Sequence, residues 1–365
     1  MARWHLHGTR SPNGLLAYAA ALLICACGDN RARPDAGLPG DAPPDAGVDI
    51  DAFVPDADPN ANLVLTGLCL DPACTQISPD AHAYAPAYEL WSDGATKRRW
   101  MHLPPGTQID TTDMNHWVFP VGTKFWKEFT RDGIRVETRY ITKEKADDDA
   151  PGAWFYISYA WNAAQDDATP TFMGVDNTNG TTHDIPSRDK CRECHEANRP
   201  GRVLGFQAIQ LDFDAPAEHL DLDDLIAQDL LSAPPAGAAP RFPLPGTPTD
   251  KAAYTYLHAN CGTCHNPSSD VHDITRLDLR LDTTKLSSTA VVPAVATTLN
   301  VAGMTVVENG SVFDTIVIPG DPDNSIVVVR MSTLSAANHM PKLGSEVIDP
   351  TGLALVRAWI ASLPP

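Results

Sequence analysis

Positive charge is scarce in this chain. It contains 27 Lys and Arg residues against 46 Asp and Glu residues, which gives a formal net charge of -19. Nucleic acids and anionic membrane surfaces are bound through a surplus of basic side chains. The composition therefore argues against both, and it is compatible with a partner that has a basic face. Hydrophobic residues make up 43% of the 365 residues, which is a globular composition.

Hydrophobic runs long enough to cross a bilayer are also lacking. The apolar run at residues 15–26 is too short, because a spanning helix needs about 20 apolar residues. Basic residues precede this run and Cys27 follows it, so residues 1–27 are typical of an export signal. Ala26 before Cys27 resembles a bacterial lipoprotein box, in which Cys27 is lipidated. An ordinary signal peptide cut near Ala26 is the alternative. We expect an exported lipoprotein of the periplasm or cell surface, and Gly28 favours the outer membrane over the inner.

Residues 28–61 show no apolar periodicity. They repeat the unit Pro-Asp-Ala and carry eight Asp residues against two Arg residues. Pro-rich segments of one charge stay extended and solvated. We therefore expect a disordered acidic tether in this segment and not a domain.

Cysteine is the residue type that carries the clearest signal. Four of the eight cysteines lie in two Cys-x-x-Cys-His segments, the attachment motif of c-type haem. The two thiols add to the two vinyl groups of one porphyrin, and the histidine lies under the iron as its proximal ligand. A four-cysteine zinc site or a pair of disulfides would not explain a histidine after both pairs. The motifs predict two covalent haems, and their residues are Cys191, Cys194 and His195 for haem 1 and Cys261, Cys264 and His265 for haem 2.

Two further cysteines, Cys69 and Cys74, are separated by a turn that contains a proline. Disulfides are the usual state of such close pairs in exported proteins. A metal site here would lack a nearby histidine. We predict a Cys69–Cys74 disulfide.

The second motif is followed by the features of a small cytochrome c domain. Helices are predicted at residues 251–259 and, with a proline in its first turn, at 349–363. Met340, on the loop before the last helix, is the predicted sixth ligand of haem 2, with His339 and Met331 as the next candidates. A thioether ligand raises the reduction potential, so haem 2 is expected to be the higher-potential centre. Short β-branched runs between 277 and 331 suggest a small β insertion.

The sixth ligand of haem 1 stays open. The candidates are His219 downstream of the motif and His183 or Met173 upstream. Such residues often have surface or packing roles instead. A five-coordinate iron is the remaining possibility, and it would separate an enzyme from an electron carrier.

Residues 62–186 have the pattern of an antiparallel β module. Strands are predicted at 97–103, 117–121, 124–129, 134–141 and 154–161, the last two with alternating apolar residues. The fold class predicted is α+β, an antiparallel β-sandwich-like module followed by a mainly α-helical cytochrome c domain. Its many tryptophans are interpreted as core, although an exposed tryptophan face would bind a sugar. The remaining boundaries are 187–232 for the first haem segment, 233–250 for a Pro-rich linker and 251–365 for the cytochrome c domain.

Short segments around the motifs add a resemblance. They are residues 90–99 (LWSDGATKRR), 119–123 (FPVGT), 158–162 (SYAWN), 186–188 (PSR), 203–206 (VLGF), 256–260 (YLHAN), 319–322 (PGDP) and 340–344 (MPKLG). Together they resemble a bacterial dihaem c-type cytochrome family of uncharacterised role, over about residues 62–365. The resemblance implies that the two motifs and Met340 hold the haems. Its departures are the Cys69/Cys74 loop, the acidic tether, and Lys342 where a second proline is commoner. None of them is a haem ligand.

Three functions follow from these features. The first is an electron-transfer protein that passes electrons between two haems and a redox partner. The second is a haem oxidoreductase, peroxidase-like or a small-molecule dehydrogenase, with an open haem 1. The third makes the β module a docking unit for a carbohydrate or a partner enzyme, and it predicts exposed tryptophans.

Overall fold

The computed structural model describes residues 62–196 and 203–365, which all belong to one compact unit. The predicted leader, Cys27 and the acidic tether lie outside the described residues. No helix within the described ranges is long and apolar enough to span a bilayer.

Six strands form one antiparallel sheet in which each strand pairs with the next along the chain. The turn between the third and fourth strands is Asp132-Gly133, and both residues have positive φ. Asp-Gly is favoured there because a two-residue hairpin turn needs left-handed backbone at both positions. The strands are β1 (His82–Ala83), β2 (Thr96–His102), β3 (Lys124–Arg131), β4 (Ile134–Lys143), β5 (Trp154–Trp161) and β6 (Ala168–Thr171).

The expected second layer of a sandwich is wrong for the described residues. Short helices and irregular chain, and not another sheet, cover the two faces. One face, with Phe125 and Ile141, is covered by residues that include Phe206 and Leu211. The other face is covered by the segment around the Cys69–Cys74 disulfide. The sheet is therefore closed by long-range packing of loops, and α+β stands as the fold class.

The strand predicted at 117–121 is also wrong, since this segment makes only an isolated bridge between Val118 and Asp110. Pro120 has no N–H to donate to a ladder. Its carbonyl instead closes a turn with Thr123, and Gly122 takes a positive φ there. The other predicted strands are confirmed as β2 to β5.

The tryptophans of the sheet region are mostly core. Their exposed fractions are at most 5%, for Trp100, Trp117, Trp126, Trp154 and Trp161. Trp91 is half-buried and donates its indole N–H to the carbonyl of Val347 at 3.0 Å. The interpretation as core is confirmed for these five, and the exposed tryptophan face expected of a docking unit is absent from the described part of the chain.

The helices are short except for two. They are α1 (Arg188–His195), α2 (Ala208–Leu211), α3 (Leu222–Ala227), α4 (Pro248–Asn260), α5 (His272–Thr275), α6 (Pro293–Ala296), α7 (Ile326–Met331) and α8 (Pro350–Ser362), with 3₁₀ turns at Leu63–Thr66, Thr178–Gly180 and Thr289–Val291. The two long helices, α4 and α8, confirm the two predicted helices. Both begin with a proline in the first turn, and a side chain caps each amino end, from Thr247 and Asp349.

Helices α4 and α8 cross in contact. The rings of Tyr254 and Trp359 meet edge to face with their centroids 6.0 Å apart. At Gly352 a β-carbon would overlap the ring of Tyr256, so the glycine permits the close approach. Burial of this apolar cluster holds the second motif in place.

The expected β insertion is present as a two-stranded hairpin, β7 (Ala302–Glu308) and β8 (Ser311–Thr315). The second predicted run, 315–318, lies mostly beyond β8 and adds only bridges. Phe242, inside the predicted linker 233–250, packs against the core of the sheet region and that of the helical region. The predicted domain boundaries stay predictions.

Candidate functional site

The first motif lies on α1, a polar helix with no buried residue. Stacking fixes this helix on the sheet. The guanidinium of Arg188 lies over the ring of Phe155 at 4.6 Å, and the ring of His195 is 5.4 Å from that of Tyr156 on β5. Cys191 packs against the face of the sheet that carries Tyr156. The β module therefore positions the haem 1 motif.

The second motif follows directly from α4. Cys261 ends the helix, and its carbonyl accepts the backbone N–H groups of Cys264 and His265 at 3.1 and 2.9 Å. Gly262 is required here, because a β-carbon would lie 2.7 Å from the carbonyl oxygen of His258. The buried amide of Asn266 donates to the carbonyls of residues 262 and 263 at 3.0 and 2.8 Å. The loop is thus a fixed turn that presents two thiols and one imidazole.

The fold brings the two motifs together. The thiols of Cys194 and Cys264 are close enough to interact, and this interaction raises the pKa of Cys194 and lowers that of Cys264. Burial raises the pKa of Cys191, and it raises the pKa of Cys261 to about 12. All four motif cysteines are free thiols, while Cys69 and Cys74 form the predicted disulfide.

His265 has the state that an iron ligand needs. Burial, reinforced by the charge of Arg330, lowers its pKa to about 4, so the imidazole is neutral at neutral pH. Its Nδ1 lies 3.3 Å from the hydroxyl of Thr275, whose own proton is donated to the carbonyl of Val271. Nδ1–H is then the donor, and Nε2 keeps its lone pair free.

Met340 lines a small pocket with Tyr256, Met331 and His339. Its backbone N–H donates to the carbonyl of Arg330 at 3.1 Å, the residue whose charge acts on the predicted proximal histidine. Both ring nitrogens of His339 are engaged, Nδ1 with the carbonyl of residue 333 and Nε2 with residue 345. Met331 is 8% exposed and packs in the helical core. The geometry therefore favours Met340 among the three candidates.

The sheet region holds the Met340 loop in place. Asp93 accepts the backbone N–H groups of Glu346 and Val347, each at 2.8 Å. The backbone N–H of Trp91 donates to the side chain of Asn260, at the end of α4, at 2.7 Å. Segment 90–99 thus ties the loop to the second motif, a role that its sequence did not reveal.

The candidates for haem 1 fall in three different settings. His183 is buried, and its Nε2 is 3.0 Å from Glu137 Oε2. Met173 is 87% exposed on a loop. His219 has a buried Nδ1 with no hydrogen-bond partner among the described residues. Its neighbour Leu220 belongs to the cluster against which Cys191 packs. Of the three candidates, His219 is the one with a buried ring nitrogen that no described residue hydrogen-bonds.

A buried ionic group beside the first motif was missed in the sequence. Glu137 is fully buried and accepts from Arg139 at 2.7 and 3.0 Å and from Ser158 at 2.7 Å. The charge of Arg139 acts on Cys191 and Cys194. Charged residues at inward positions of an alternating strand were the available signal, since such residues are rarely buried unless paired.

These residues fit two c-type haems. Each motif offers two free thiols and one imidazole, in partly buried positions. In residues 62–196 and 203–365, the motifs included, no group of three or more His, Cys, Asp or Glu side chains is arranged to hold a metal ion directly. Comparison with family models, curated proteins and solved structures finds no match for this chain.

Proposed function

We propose that this chain is a dihaem c-type cytochrome that carries electrons. The observation that supports it best is the contact between the second thiols of the two motifs, Cys194 and Cys264, which lie 70 residues apart in the sequence. A pair of redox centres that exchange electrons must be close together. Haem, when bound, supplies the iron that changes oxidation state.

The chain's own residues would hold and tune these groups. Thioether bonds would form at the four motif cysteines, with His195 and His265 as proximal ligands and Met340 as the sixth ligand of haem 2. His265 is already neutral and oriented through Thr275. The charged group of Glu137 and Arg139 lies beside the first motif, and an apolar cluster surrounds the second. Two sites that differ in this way would hold haems of different potential, with haem 2 the higher.

A haem oxidoreductase is the second candidate, and the setting of His183 favours it. Because its Nε2 is already paired with Glu137, this histidine is poorly placed to close haem 1. Met173 is exposed. An iron left open at haem 1 would bind a small molecule such as peroxide, while haem 2 would supply or drain electrons.

The proposal includes a cellular location and a binding partner. The chain would act as an exported lipoprotein, tethered through Cys27 to the outer membrane, in the periplasm or at the cell surface. The net charge of -19 would attract a redox protein with a basic face and would speed their association at low salt.

Haem content tests the proposal. The chain is produced with haem maturation, and the number of covalent haems per polypeptide is measured by mass spectrometry and by haem absorbance. Two are expected in the wild type, one in Cys191→Ala/Cys194→Ala and one in Cys261→Ala/Cys264→Ala. Absence of haem in the wild type would overturn the proposal.

Carbon monoxide separates the two candidate functions. It binds ferrous haem only where the sixth position is open or weakly held. In the reduced protein, spectra unchanged by carbon monoxide are expected for the electron carrier. A shift in half of the haem, lost in the Cys191→Ala/Cys194→Ala variant, would assign an open haem 1 and the oxidoreductase.

A further inference from the structure

A row of three cations crosses the sheet beside the motifs. Arg99 on β2, Lys127 on β3 and Arg139 on β4 are directly opposite one another in the strand register. They project from the same face, since each is paired across the strands with the next. Like charges in directly opposed positions destabilise a sheet. A sheet can tolerate such a row where anions neutralise the positive charges.

Carboxylates neutralise the two outer members of this row. Arg99 pairs with Glu89 at 2.8 Å, and Arg139 pairs with Glu137 at 2.7 Å. For Lys127, the middle member, no carboxylate among the described residues lies within ion-pair distance. Its ammonium is instead 4.9 Å from the centre of the Phe129 ring. Lys127 is therefore the one member of the row without a carboxylate partner among the described residues.

The electrostatics of Lys127 agree with this shortage. Burial, together with repulsion from Arg99, Arg139 and Lys97, lowers its pKa well below the usual value, and Glu89 offsets this only in part. A bound anion would restore the charged form.

Lys127 lines a partly open cleft. Arg99, Arg280 and Gln210 also line this cleft. Gly262, between the two cysteines of the second motif, forms part of its wall. The cleft is therefore a basic site next to the haem motifs of an otherwise acidic protein.

Histidine and amide groups add neutral donors to the cleft. His258 Nδ1 accepts the backbone N–H of Leu281 at 3.0 Å, so its proton is on Nε2. Burial, with the charge of Arg280, lowers its pKa to about 3 and keeps the ring neutral. The side-chain amide nitrogen of Gln207 lies 3.0 Å from this Nε2 and lines the same cleft. Cations and N–H donors together suit a planar oxyanion.

We propose that this cleft binds a carboxylate group, with Lys127 as its central partner. Two sources carry this chemistry: a propionate of a haem held by the neighbouring motifs, or a small carboxylate that diffuses in. The first source rests on the proposed function, and the second does not.

Titration with sodium propionate tests the proposal, with sodium chloride at equal ionic strength as the reference. Calorimetry on the full haem-loaded chain compares wild type, Lys127→Met, Lys127→Arg and Lys251→Met. Lys251 is an exposed lysine on α4 and serves as the matched control. Saturable binding that Lys127→Met weakens by about tenfold or more, as expected for a charge-assisted hydrogen bond, supports the diffusible source. Lys127→Arg should keep most of the affinity.

Redox titration of the same variants tests the haem source. If a haem propionate occupies the cleft, added propionate does not bind to the wild type. Lys127→Met then lowers the midpoint potential of one haem, because a nearby cation favours the ferrous state, and it shifts the pH dependence of that potential. Lys251→Met leaves both unchanged.

The proposal is overturned if neither response is observed, that is, if the wild-type and Lys127→Met potentials coincide and propionate binding is absent or does not depend on Lys127. If the purified chain holds no haem, the proposed function fails separately. Propionate titration of the haem-free chain then decides on the cleft alone.

Discussion

The same five-residue motif occurs in two contrasting surroundings. The first is on a short helix without buried residues, laid against a sheet and next to the buried pair of Glu137 and Arg139. The second ends a long capped helix inside an apolar cluster. The motif alone specifies attachment, whereas charge and burial around it set the potential of the iron. Haems held in these two surroundings would differ in potential, as the proposed electron carrier would have it.

Removal of Glu137 is expected to have the largest effect on the sheet region. The Glu137→Ala variant leaves Arg139 and His183 without their buried partner, and loss of one member of a buried ion pair costs about 3–5 kcal/mol. Unfolding in urea, with Glu144→Ala as an exposed control, measures this change. Equal stability of the two variants would mean that the ionic group does not support the first motif.

Acid should weaken the two regions in different pH ranges. In the helical region, burial lowers the pKa of His258 to about 3 from 6.5. The unfolded chain takes up a proton below the higher value, so stability is lost as pH falls through that interval. In the sheet region, the pKa of Glu137 is lowered to about 2 from 4.5, since Arg139 and His183 outweigh burial. Its contribution is lost between these two values.

Each of these groups changes the free energy of unfolding by up to about 1.4 kcal/mol per pH unit. The His258→Gln variant should flatten the slope of stability between about pH 6 and 4, and Glu137→Gln the slope below about pH 4. Urea midpoints across this pH series provide the measurement. The comparison fails if Glu137→Gln flattens the slope above about pH 4.5, or if His258→Gln leaves that slope unchanged.

Gly352→Ala tests the close crossing in the helical region. Alanine normally stabilises a helix relative to glycine by about 1 kcal/mol. Here its β-carbon would overlap the ring of Tyr256, and overpacking costs about 1–3 kcal/mol. Thermal unfolding should show a net loss of stability, reversed in part when Tyr256→Ala makes room. A stabilised single variant would show that the helices do not approach so closely.

Met340→Leu should have the smallest effect on folding, less than about 1.5 kcal/mol, because the two side chains are similar in volume. It should nevertheless lower the midpoint potential of one haem, since a thioether ligand raises it. Redox titration compares it with Met331→Leu, the buried control. If the midpoint potential falls only in Met331→Leu, Met331 and not Met340 is the sixth ligand.

Local signals were sufficient for part of this structure. Alternating apolar residues and the Asp132-Gly133 turn predicted β3 and β4, and capping residues with a proline predicted α4 and α8. The ligand chemistry of each motif is likewise local. These features depend on neighbours within a few residues, which the sequence displays directly.

Long-range packing decided what the sequence did not reveal. The contact between Cys194 and Cys264 joins residues on separate elements. The row that contains Lys127 depends on strand register, and the missing sandwich layer depends on which loops cover the sheet. No periodicity within one segment encodes such pairings. The sixth ligand of haem 1 could not be predicted from the sequence for the same reason, because it depends on which distant segment packs beside the first motif.

Circular dichroism in the main haem absorption band tests the central claim most directly, that the two haem motifs lie in contact. Two haems held side by side couple their transitions, so the haem-loaded wild type should show a paired positive and negative signal. The single-haem variants Cys191→Ala/Cys194→Ala and Cys261→Ala/Cys264→Ala should each show a simple band. A wild-type spectrum equal to the sum of the two variants would contradict the account.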